Sequence, residues 1–408
     1  MKLLCGISLL LVVTVAYHIY IPLPRTISEP WKLMLLDAAF RCVTHVFNMA
    51  HHLGLTHRIH VLNYAINGVE MLVPVSCEGI QVQDTHFDGV QVRVYQPSQK
   101  EKNQLRRGVV FFHGGGWSIG APKLGSYDLL CKKMASDLNA VVVTVDYRMA
   151  PEVHFPVQYE ECLHATQHFL KPEVLAQYSV DPERVAVCGD SAGGNLAAAV
   201  SQQIGVDNDS SVKFKAQVLI YPVLQALDFN TPSYQQNQDV PILYRRLMAR
   251  FWLEYLGANL DHVHPMLINN HTAKDHVRGS AHRAKLDWTT LLPQSIKKDY
   301  KPVVKETGSP EILEKLPALL DVRAAPLLAE EDRLRMAPRA YILTCEHDVL
   351  RDDGLMYGRR LEQAGVHVTS DHLQDGFHGC VSFAFWPCYF SVGIRAVQNY
   401  IAWLDENL

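Results

Sequence analysis

The stretch Gly189-Asp190-Ser191-Ala192-Gly193-Gly194 decides the fold class of this chain. It matches the pattern G-x-S-x-G, in which a serine lies on a sharp turn between a strand and a helix. The context fits, because the strand-like run 184–188 precedes the motif and the helix-like run 195–200 follows it. Glycine is expected at 189 and 193, since side chains there would collide with the flanking elements. We therefore expect Ser191 to lie at a helix N-terminus, where backbone amides can stabilise a negative charge.

A second glycine motif, His113-Gly114-Gly115-Gly116, directly follows the apolar run 109–112. In lipases and esterases a glycine run at this place supplies backbone N–H groups to an oxyanion hole, together with the N–H of the residue after the nucleophile. That residue is Ala192 here. A G-x-S-x-G motif alone is a weak signal, so the agreement of two motifs matters. It predicts Gly114, Gly115 and Ala192 as the oxyanion donors.

The other two groups of a serine hydrolase site should come later in the chain, in the order serine, acid, histidine. Asp348 follows one strand-like run, and His378 follows the next, in a loop that contains Gly376 and Gly379. The sequence therefore predicts a triad of Ser191, Asp348 and His378.

Neighbouring groups compete with this acid and this histidine. Asp352 and Asp353 are better interpreted as caps of the helix that follows them. The remaining candidates lie too close to the strand or to the histidine, or lack flanking glycines: Glu346, Asp371, Asp375 and His372.

These residue types predict acyl transfer. An imidazole with an ordinary pKa of ~6.5 can take the proton of Ser191 near neutral pH, while the carboxylate fixes its tautomer and stabilises the imidazolium. Ser191 would attack an acyl carbonyl, and water would hydrolyse the resulting acyl-enzyme. The nine cysteines show no C-x-x-C spacing, so we expect neither a metal nor a cofactor.

Apolar strand-like runs alternate with helix-like stretches over most of the chain. Continuous Val, Ile and Leu runs are typical of strands that are covered on both faces. The pattern predicts a mostly parallel, doubly wound α/β sheet. Together with the G-x-S-x-G turn it indicates an α/β-hydrolase fold. The strand-like runs are 91–95, 109–112, 140–146, 184–188, 216–221, 340–344 and 366–370.

Between residues 222 and 328 this alternation stops, and the sequence becomes helical, polar and rich in histidine. Apolar residues recur at helical spacing between 244 and 256, and we expect this face to pack on the main domain rather than on a membrane. Residues 31–53 can form a further helix. We therefore predict a catalytic domain at 26–408 with a helical cap built from about 26–60 and 222–328.

The N-terminal residues 3–23 carry no charge and are mostly apolar. As a helix, residues 3–21 would span about 28 Å, close to the ~30 Å hydrocarbon core of a bilayer. A cleaved signal peptide is the alternative, but its apolar core is usually about 7–15 residues long and a small-x-small cleavage site is expected. We therefore expect residues 1–25 to form an uncleaved transmembrane anchor, with the membrane as a partner.

The charge balance and the sequons set further limits. A net charge of −4 provides no basic surface of the kind that binds nucleic acid, so that class of partner is excluded. Asn270-His271-Thr272 and Asn208-Asp209-Ser210 would be N-glycosylation acceptors if the main body is lumenal.

Taken together, the motifs resemble the hormone-sensitive lipase family of α/β hydrolases. Besides the two glycine motifs, the likeness rests on four segments and covers essentially the whole chain. These are YRMAPE at 147–152, EPWKLMLLDAA at 29–39, YPVLQALDFNTPSYQQN at 221–237 and LTCEHDVLRDDG at 343–354. By position, the nucleophile, acid and base of the family fall on Ser191, Asp348 and His378.

This resemblance implies a single-pass type II protein of the endoplasmic reticulum with a lumenal catalytic domain. It also implies hydrolysis of carboxylic esters of lipids, such as cholesteryl esters and acetylated ether glycerolipids. An amidase or esterase that acts on small xenobiotics is the alternative. A non-catalytic binding protein on the same fold is less favoured, because such proteins typically lose a triad member.

Overall fold

An eight-stranded mixed sheet, in the order β1-β2-β4-β3-β5-β6-β7-β8, forms the centre of the protein. The computed structural model describes residues 13–54, 57–70, 79–98, 104–272 and 282–408. The strands are β1 Ile80–Phe87, β2 Val90–Pro97, β3 Arg106–Phe112, β4 Ala140–Val145, β5 Val180–Asp190, β6 Ala216–Ile220, β7 Arg339–His347 and β8 Val368–Phe377.

The pairing of these strands confirms a mostly parallel sheet. Strands β3 to β8 are parallel to their neighbours, whereas β1 pairs antiparallel with β2, and β2 antiparallel with β4. Every residue of β4 is buried, as the continuous apolar run predicts. Strand β1 was not among the expected strands. It lies at the edge of the sheet, and its residues are mostly polar and only partly buried.

Helices cover both faces of the sheet, as expected for a doubly wound fold. On one face the core contains residues of the helices at 157–169, 192–206 and 351–363, and on the other it contains residues of the helices at 125–137 and 391–407. The helices are α1 Pro30–His52, α2 Arg58–Glu70, α3 Gly125–Asp137, α4 Val157–Phe169, α5 Pro172–Tyr178, α6 Ala192–Val206, α7 Pro232–Gln236, α8 Arg245–Tyr255, α9 Val263–Leu267, α10 Trp288–Leu291, α11 Gln294–Lys297, α12 Pro310–Lys315, α13 Glu331–Arg335, α14 Arg351–Gln363 and α15 Ser391–Asn407.

The segment between β6 and β7 forms short helices and turns above the carboxyl ends of the strands. Its longest helix in the described residues, α8, buries Met248, Trp252 and Tyr255. The ring of Tyr255 stacks on Trp117, which follows the glycine motif, at a centroid distance of 4.1 Å. The apolar face of α8 therefore packs on the main domain, as its helical spacing predicts. The single-turn 3₁₀ helices are Leu260–His262, Asn270–Thr272, Ala284–Leu286, Pro317–Leu320, Pro326–Leu328 and Ser382–Ala384.

The N-terminal part consists of a helical stretch at 13–19, followed by α1 and α2. Residues 1–12 of the predicted transmembrane anchor lie outside the described residues. Across the described ranges, no helix combines the length and apolar character needed to cross a bilayer. The anchor at 1–25 therefore stays a prediction.

The segment that leads into α1 contacts the carboxyl-terminal residues of β7 and β8. The backbone N–H of Ser28 donates to the carbonyl of Asp375 over 2.9 Å. The hydroxyl of Thr26 lies 2.9 Å from Nε2 of His347. The segment is thus held against the carboxyl-terminal ends of β7 and β8 themselves.

All seven cysteines in the described residues are free thiols, and only Cys42 is exposed among them. The sulfur atoms of Cys345 and Cys380 lie 3.9 Å apart, so the two buried side chains are in contact without a covalent bond. Cys5 and Cys77 lie outside the described residues.

Candidate active site

Ser191 lies on the turn between β5 and α6. Its backbone has φ 55 and ψ −117, a left-handed conformation that costs energy in a residue with a side chain. The glycines explain how the turn fits. A Cβ at Gly189 would lie 2.2 Å from the carbonyl oxygen of Gly193, and a Cβ at Gly193 would lie 2.0 Å from that of Phe112. The expected steric reason for both glycines is confirmed.

The structure brings the three predicted triad residues together. Nε2 of His378 lies 2.9 Å from Oγ of Ser191, and Nδ1 lies 2.8 Å from Oδ2 of Asp348. The other carboxylate oxygen of Asp348 accepts the N–H of Leu350 over 2.9 Å. With the Nδ1 proton directed at the carboxylate, Nε2 is free to accept the serine proton.

The side chain of Asn237 holds the loop that carries the acid. Its Nδ2 donates to the backbone carbonyls of Glu346 and Asp348, over 2.9 and 3.0 Å. Asn237 is buried and comes from the segment between β6 and β7, so that segment supports the site directly. Sequence analysis missed this residue, because an asparagine in a polar region carries no distinctive signal.

The competing groups contact other partners. Asp352 accepts the N–H of Ser233 over 2.7 Å, and Asp353 accepts that of Leu224 over 3.0 Å. The expectation that these two aspartates cap α14 is therefore wrong, because they bind the segment after β6 instead. The other candidates pair with Arg351, Tyr341, Arg395 or each other: Glu346, Asp371, Asp375 and His372.

One of the predicted oxyanion donors near Ser191 has a different role in the structure. The N–H of Gly114, expected to be an oxyanion donor, points to the Asp190 carboxylate over 2.8 Å and is not available to a substrate. The amides of Gly115, Gly116 and Ala192 have no acceptor within the described part of the chain. Gly116 was not among the expected donors. The structure thus offers the second and third glycines of the motif, with Ala192, as the free donors.

Burial changes the protonation of two groups behind the glycine motif. Asp190 is fully enclosed, and desolvation raises its pKa to about 6, although the hydrogen bonds from Gly114 and Tyr127 oppose the shift. Desolvation also lowers the pKa of His113 to about 4, so its ring is neutral at pH 7. The ring of Tyr147 stacks on His113 at 4.4 Å, and its hydroxyl donates to the His113 carbonyl over 2.7 Å. Through these contacts Asp190, His113 and Tyr147 hold the glycine loop in place.

Residues 109–283 and 308–382 match a family model described as the alpha/beta hydrolase fold. The chain belongs to the α/β-hydrolase family. It is 54% identical to neutral cholesterol ester hydrolase 1 of Bos taurus over 99% of each chain. Its identity to arylacetamide deacetylase of Oryctolagus cuniculus is 45%, over 98% of this chain and 99% of the relative.

Solved structures agree with these sequence relatives. An esterase of Rhizomucor miehei superimposes with a TM-score of 0.66 at 28% identity, covering 94% of this hydrolase and 98% of that chain. A thermostable esterase of Pseudomonas putida gives a TM-score of 0.64 at 26% identity, covering 86% and 90%. The resemblance to the hormone-sensitive lipase family is confirmed, and the chain is a carboxylic ester hydrolase.

A cavity of about 450 Å³ opens onto Ser191 in this α/β hydrolase. Its floor contains the glycine motif and His378, while α1, α2 and α8 form its walls. The walls are mainly apolar, and their aliphatic and aromatic members are Phe40, Ile59, Leu62, Ile66, Leu247, Met248 and Phe251. Such a chamber fits an apolar acyl or alcohol group next to the reactive carbonyl.

No group of His, Cys, Asp or Glu in the described residues is arranged to hold a metal ion. Asn208 is exposed in the loop after α6, while Asn270 is half-buried and its Nδ2 donates to the Ser309 hydroxyl over 3.0 Å. Glycosylation of either asparagine stays a prediction.

Proposed function

We propose that this hydrolase cleaves carboxylic esters of lipids, such as cholesteryl esters and acetylated ether glycerolipids, through an acyl-enzyme on Ser191. One observation carries the proposal. The hydrogen-bonded chain from Ser191 through His378 to Asp348 ends at the floor of a mainly apolar cavity. A reactive hydroxyl in an apolar chamber suits an ester flanked by hydrocarbon.

The proposed reaction follows from the geometry. His378 takes the proton of Ser191 as its oxygen attacks the ester carbonyl, and Asp348 stabilises the imidazolium that forms. The amides of Gly115, Gly116 and Ala192 face the developing oxyanion, each donor being worth roughly 3 kcal/mol of barrier. His378 then gives its proton to the leaving alcohol. Water, activated by the same imidazole, releases the acid and restores Ser191.

A lipid substrate is supported by both the cavity and the relatives. The relative with 54% identity is named for hydrolysis of cholesterol esters. Charged groups such as Asp37, Arg41 and Glu254 also line the cavity, but most of its surface is apolar. Most of the binding free energy would therefore come from burial of apolar surface, at about 25 cal/mol per Å². This favours long acyl or sterol groups over small polar esters.

Hydrolysis of small aryl amides and esters is the second candidate. The relative with 45% identity is named for deacetylation of arylacetamides. The same triad and amide donors would serve that reaction, with an amine as the leaving group. The two candidate functions use the same catalytic chemistry. They differ in which substrate fills the cavity, so we expect them to differ in KM.

We also propose an endoplasmic reticulum location, with residues 1–25 as a type II anchor and the catalytic domain in the lumen. The uncharged run 3–23 supports an anchor, and the sequons at Asn208 and Asn270 suit a lumenal domain. Digestion with a glycosidase should lower the apparent mass of the protein from microsomes. Replacing each asparagine with Gln would identify the modified site. If protease added to intact microsomes digested the catalytic domain completely, the lumenal placement would be contradicted.

A substrate comparison tests the proposed activity. Purified full-length protein should hydrolyse a cholesteryl ester and an acetylated alkylglycerol with higher kcat/KM than an aryl acetamide. Ser191→Ala should lower turnover by a factor on the order of 10⁶. Ser201→Ala is the matched control, because Ser201 is equally buried on α6 and its hydroxyl has no partner in the described residues.

Two outcomes would change this assignment. A preference for aryl acetamides would establish the second candidate. An absence of hydrolysis on every ester and amide, with an intact fold, would favour a non-catalytic binding protein.

A further inference from the structure

Helix α1 exposes an apolar stripe along one side. Trp31, Leu35 and Met49 are 58%, 47% and 60% exposed, and Ala39 and Cys42 on the same side are also exposed. The spacings of four, four, three and seven residues keep all five within one face of the helix. We call these five residues the outer stripe. Large apolar side chains concentrated on one exposed face indicate a surface that contacts something other than water.

The opposite side of α1 has the reverse character. Leu33 is buried in the core, while Asp37, Phe40 and Arg41 face the active-site cavity. Asp37 and Arg41 form an ion pair of 2.6 Å on this inner side. A surface helix in water normally directs its charged side chains outwards. In α1 the central ion pair lies on the cavity side and the apolar stripe faces outwards.

The helical stretch at 13–19 adjoins this surface. Nε2 of His18 lies 3.4 Å from Sγ of Cys42 in the outer stripe, and Nη2 of Arg41 donates to the His18 carbonyl over 2.6 Å, so the stretch is tied to the middle of α1. Val13, Tyr17 and Tyr20 are exposed there. They continue the uncharged sequence 3–23, and tyrosine and tryptophan are enriched where proteins meet the headgroup region of a bilayer.

The cavity also reaches the surface beside α1. Its innermost wall residues, such as Ser191 and Gly116, are buried, whereas Thr44 and His45 of α1 and Tyr244 ahead of α8 are exposed. The open end of the cavity therefore lies along the same helix that carries the outer stripe.

We propose that the outer stripe of α1 lies in the interfacial region of a phospholipid bilayer, so that the open end of the cavity faces the lipid. The charges at Lys32, Asp37 and Arg41 suit a helix that lies on the membrane rather than one that crosses it. An ester dissolved among the lipid chains then reaches Ser191 without passing through water. This inference rests on the proposed lipid-ester function and adds the route of the substrate.

Kinetics on two kinds of substrate test the route. Full-length protein is reconstituted into phosphatidylcholine vesicles, and a cholesteryl ester in the bilayer is compared with water-soluble p-nitrophenyl acetate. Replacing Leu35 and Met49 together with Glu should lower kcat/KM for the bilayer ester by about tenfold or more, and leave the soluble ester unchanged. The control replaces Leu105 and Met336 with Glu, since these residues are similarly exposed on other parts of the surface.

Fluorescence locates the stripe directly. Phosphatidylcholine with brominated acyl chains should quench part of the tryptophan emission of the wild-type protein in vesicles. That part should disappear in Trp31→Phe and persist in Trp288→Phe, because Trp288 is buried. This measurement on the wild-type chain decides the question even if the Glu variant fails to fold.

The outcomes separate the inference from the function it rests on. The inference would be overturned if the stripe and control variants lost kcat/KM for the bilayer ester equally. It would also be overturned if the brominated lipid did not quench Trp31. If the Glu variant changes only the oligomeric state seen by sedimentation, and not the kinetics, the outer stripe contacts a second copy of this chain. Quenching of Trp31 without hydrolysis of any ester would leave the membrane contact in place and refute the proposed function.

Discussion

The carboxylate of Asp190 accepts the backbone N–H of Gly114 over 2.8 Å, and so joins the nucleophile turn to the glycine loop. The second carboxylate oxygen accepts the hydroxyl of Tyr127 over 3.2 Å. Asp190 lines the cavity, but in the described residues its carboxylate bonds Gly114 and Tyr127 and forms no hydrogen bond with Ser191 or His378. It fixes the position of the loop whose next two residues, Gly115 and Gly116, line the cavity with Ser191, and is therefore a positioning residue.

Removing this carboxylate should impair catalysis through the loop. In Asp190→Ala the Gly114 amide keeps only the Tyr127 hydroxyl, at 3.0 Å, as an acceptor. We expect kcat to fall by roughly 10²-fold, because misplaced oxyanion donors cost about as much as a missing one. Asp190→Asn should restore most of the activity, since the amide oxygen can still accept from Gly114. Steady-state kinetics on a soluble ester measures both. Equal kcat values for the Ala variant and the wild type would refute the positioning role.

The same carboxylate makes stability depend on pH. Its pKa rises from 3.8 to about 6 on folding because burial disfavours the charge. Between these values the native state binds more protons than the unfolded state, so the free energy of unfolding falls as pH increases from about 4 to 6. Over this pH range the free energy of unfolding falls by a total on the order of 3 kcal/mol.

Asp190→Asn isolates this effect, because the variant lacks the titrating group and keeps the others. The unfolding free energy of the wild type minus that of the variant should decrease between pH 4 and pH 7. Denaturant unfolding at the two pH values measures it. A difference that is constant with pH would mean that the carboxylate is not destabilised by burial.

The triad acid gives a third prediction. Asp348→Asn should lower kcat by about 10⁴-fold, because the amide favours the wrong tautomer of His378. Asp371→Asn is a suitable control, since Asp371 bonds Tyr341 and Asn399 on the far side of β8. Its kcat should change less than threefold or so. Similar losses in both variants would argue against Asp348 as the acid.

The glycines of the nucleophile turn give a fourth prediction. Gly193→Ala would place a methyl group 2.0 Å from the carbonyl oxygen of Phe112, and should lower the free energy of unfolding by roughly 3 kcal/mol or more. Gly68→Ala in α2 meets no atom within 4 Å and should stabilise the helix by about 1 kcal/mol. Thermal or denaturant unfolding compares them. A Gly193 variant as stable as the wild type would contradict the packing of this turn.

The sequence predicted the parts of this enzyme that depend on local pattern. The nucleophile turn, the order of the triad and the buried parallel strands each have a signature over a few residues. Ser191, Asp348 and His378 meet as expected because the carboxyl ends of parallel strands share one edge of the sheet.

The missed features depend on contacts between distant segments. The donor role expected of Gly114 failed because the Asp190 side chain competes for its amide, and no spacing rule reveals which way an amide points. The sequence predicts Asp352 and Asp353 as helix caps, but the segment after β6 supplies buried N–H groups that bind them. Strand β1 has a polar composition because it lies at an edge, where the apolar signal of a central strand is absent.

The bonds from Ser28 to Asp375 and from Thr26 to His347 bear on any shortened form of this protein. Asp375 and His347 each lie within three positions of a triad residue in the sequence. A protease or a cloning boundary that removes the chain up to residue 24 leaves both bonds intact. A cut only five residues further on would release a fragment that carries every catalytic group and has lost the bracing of its acid and base.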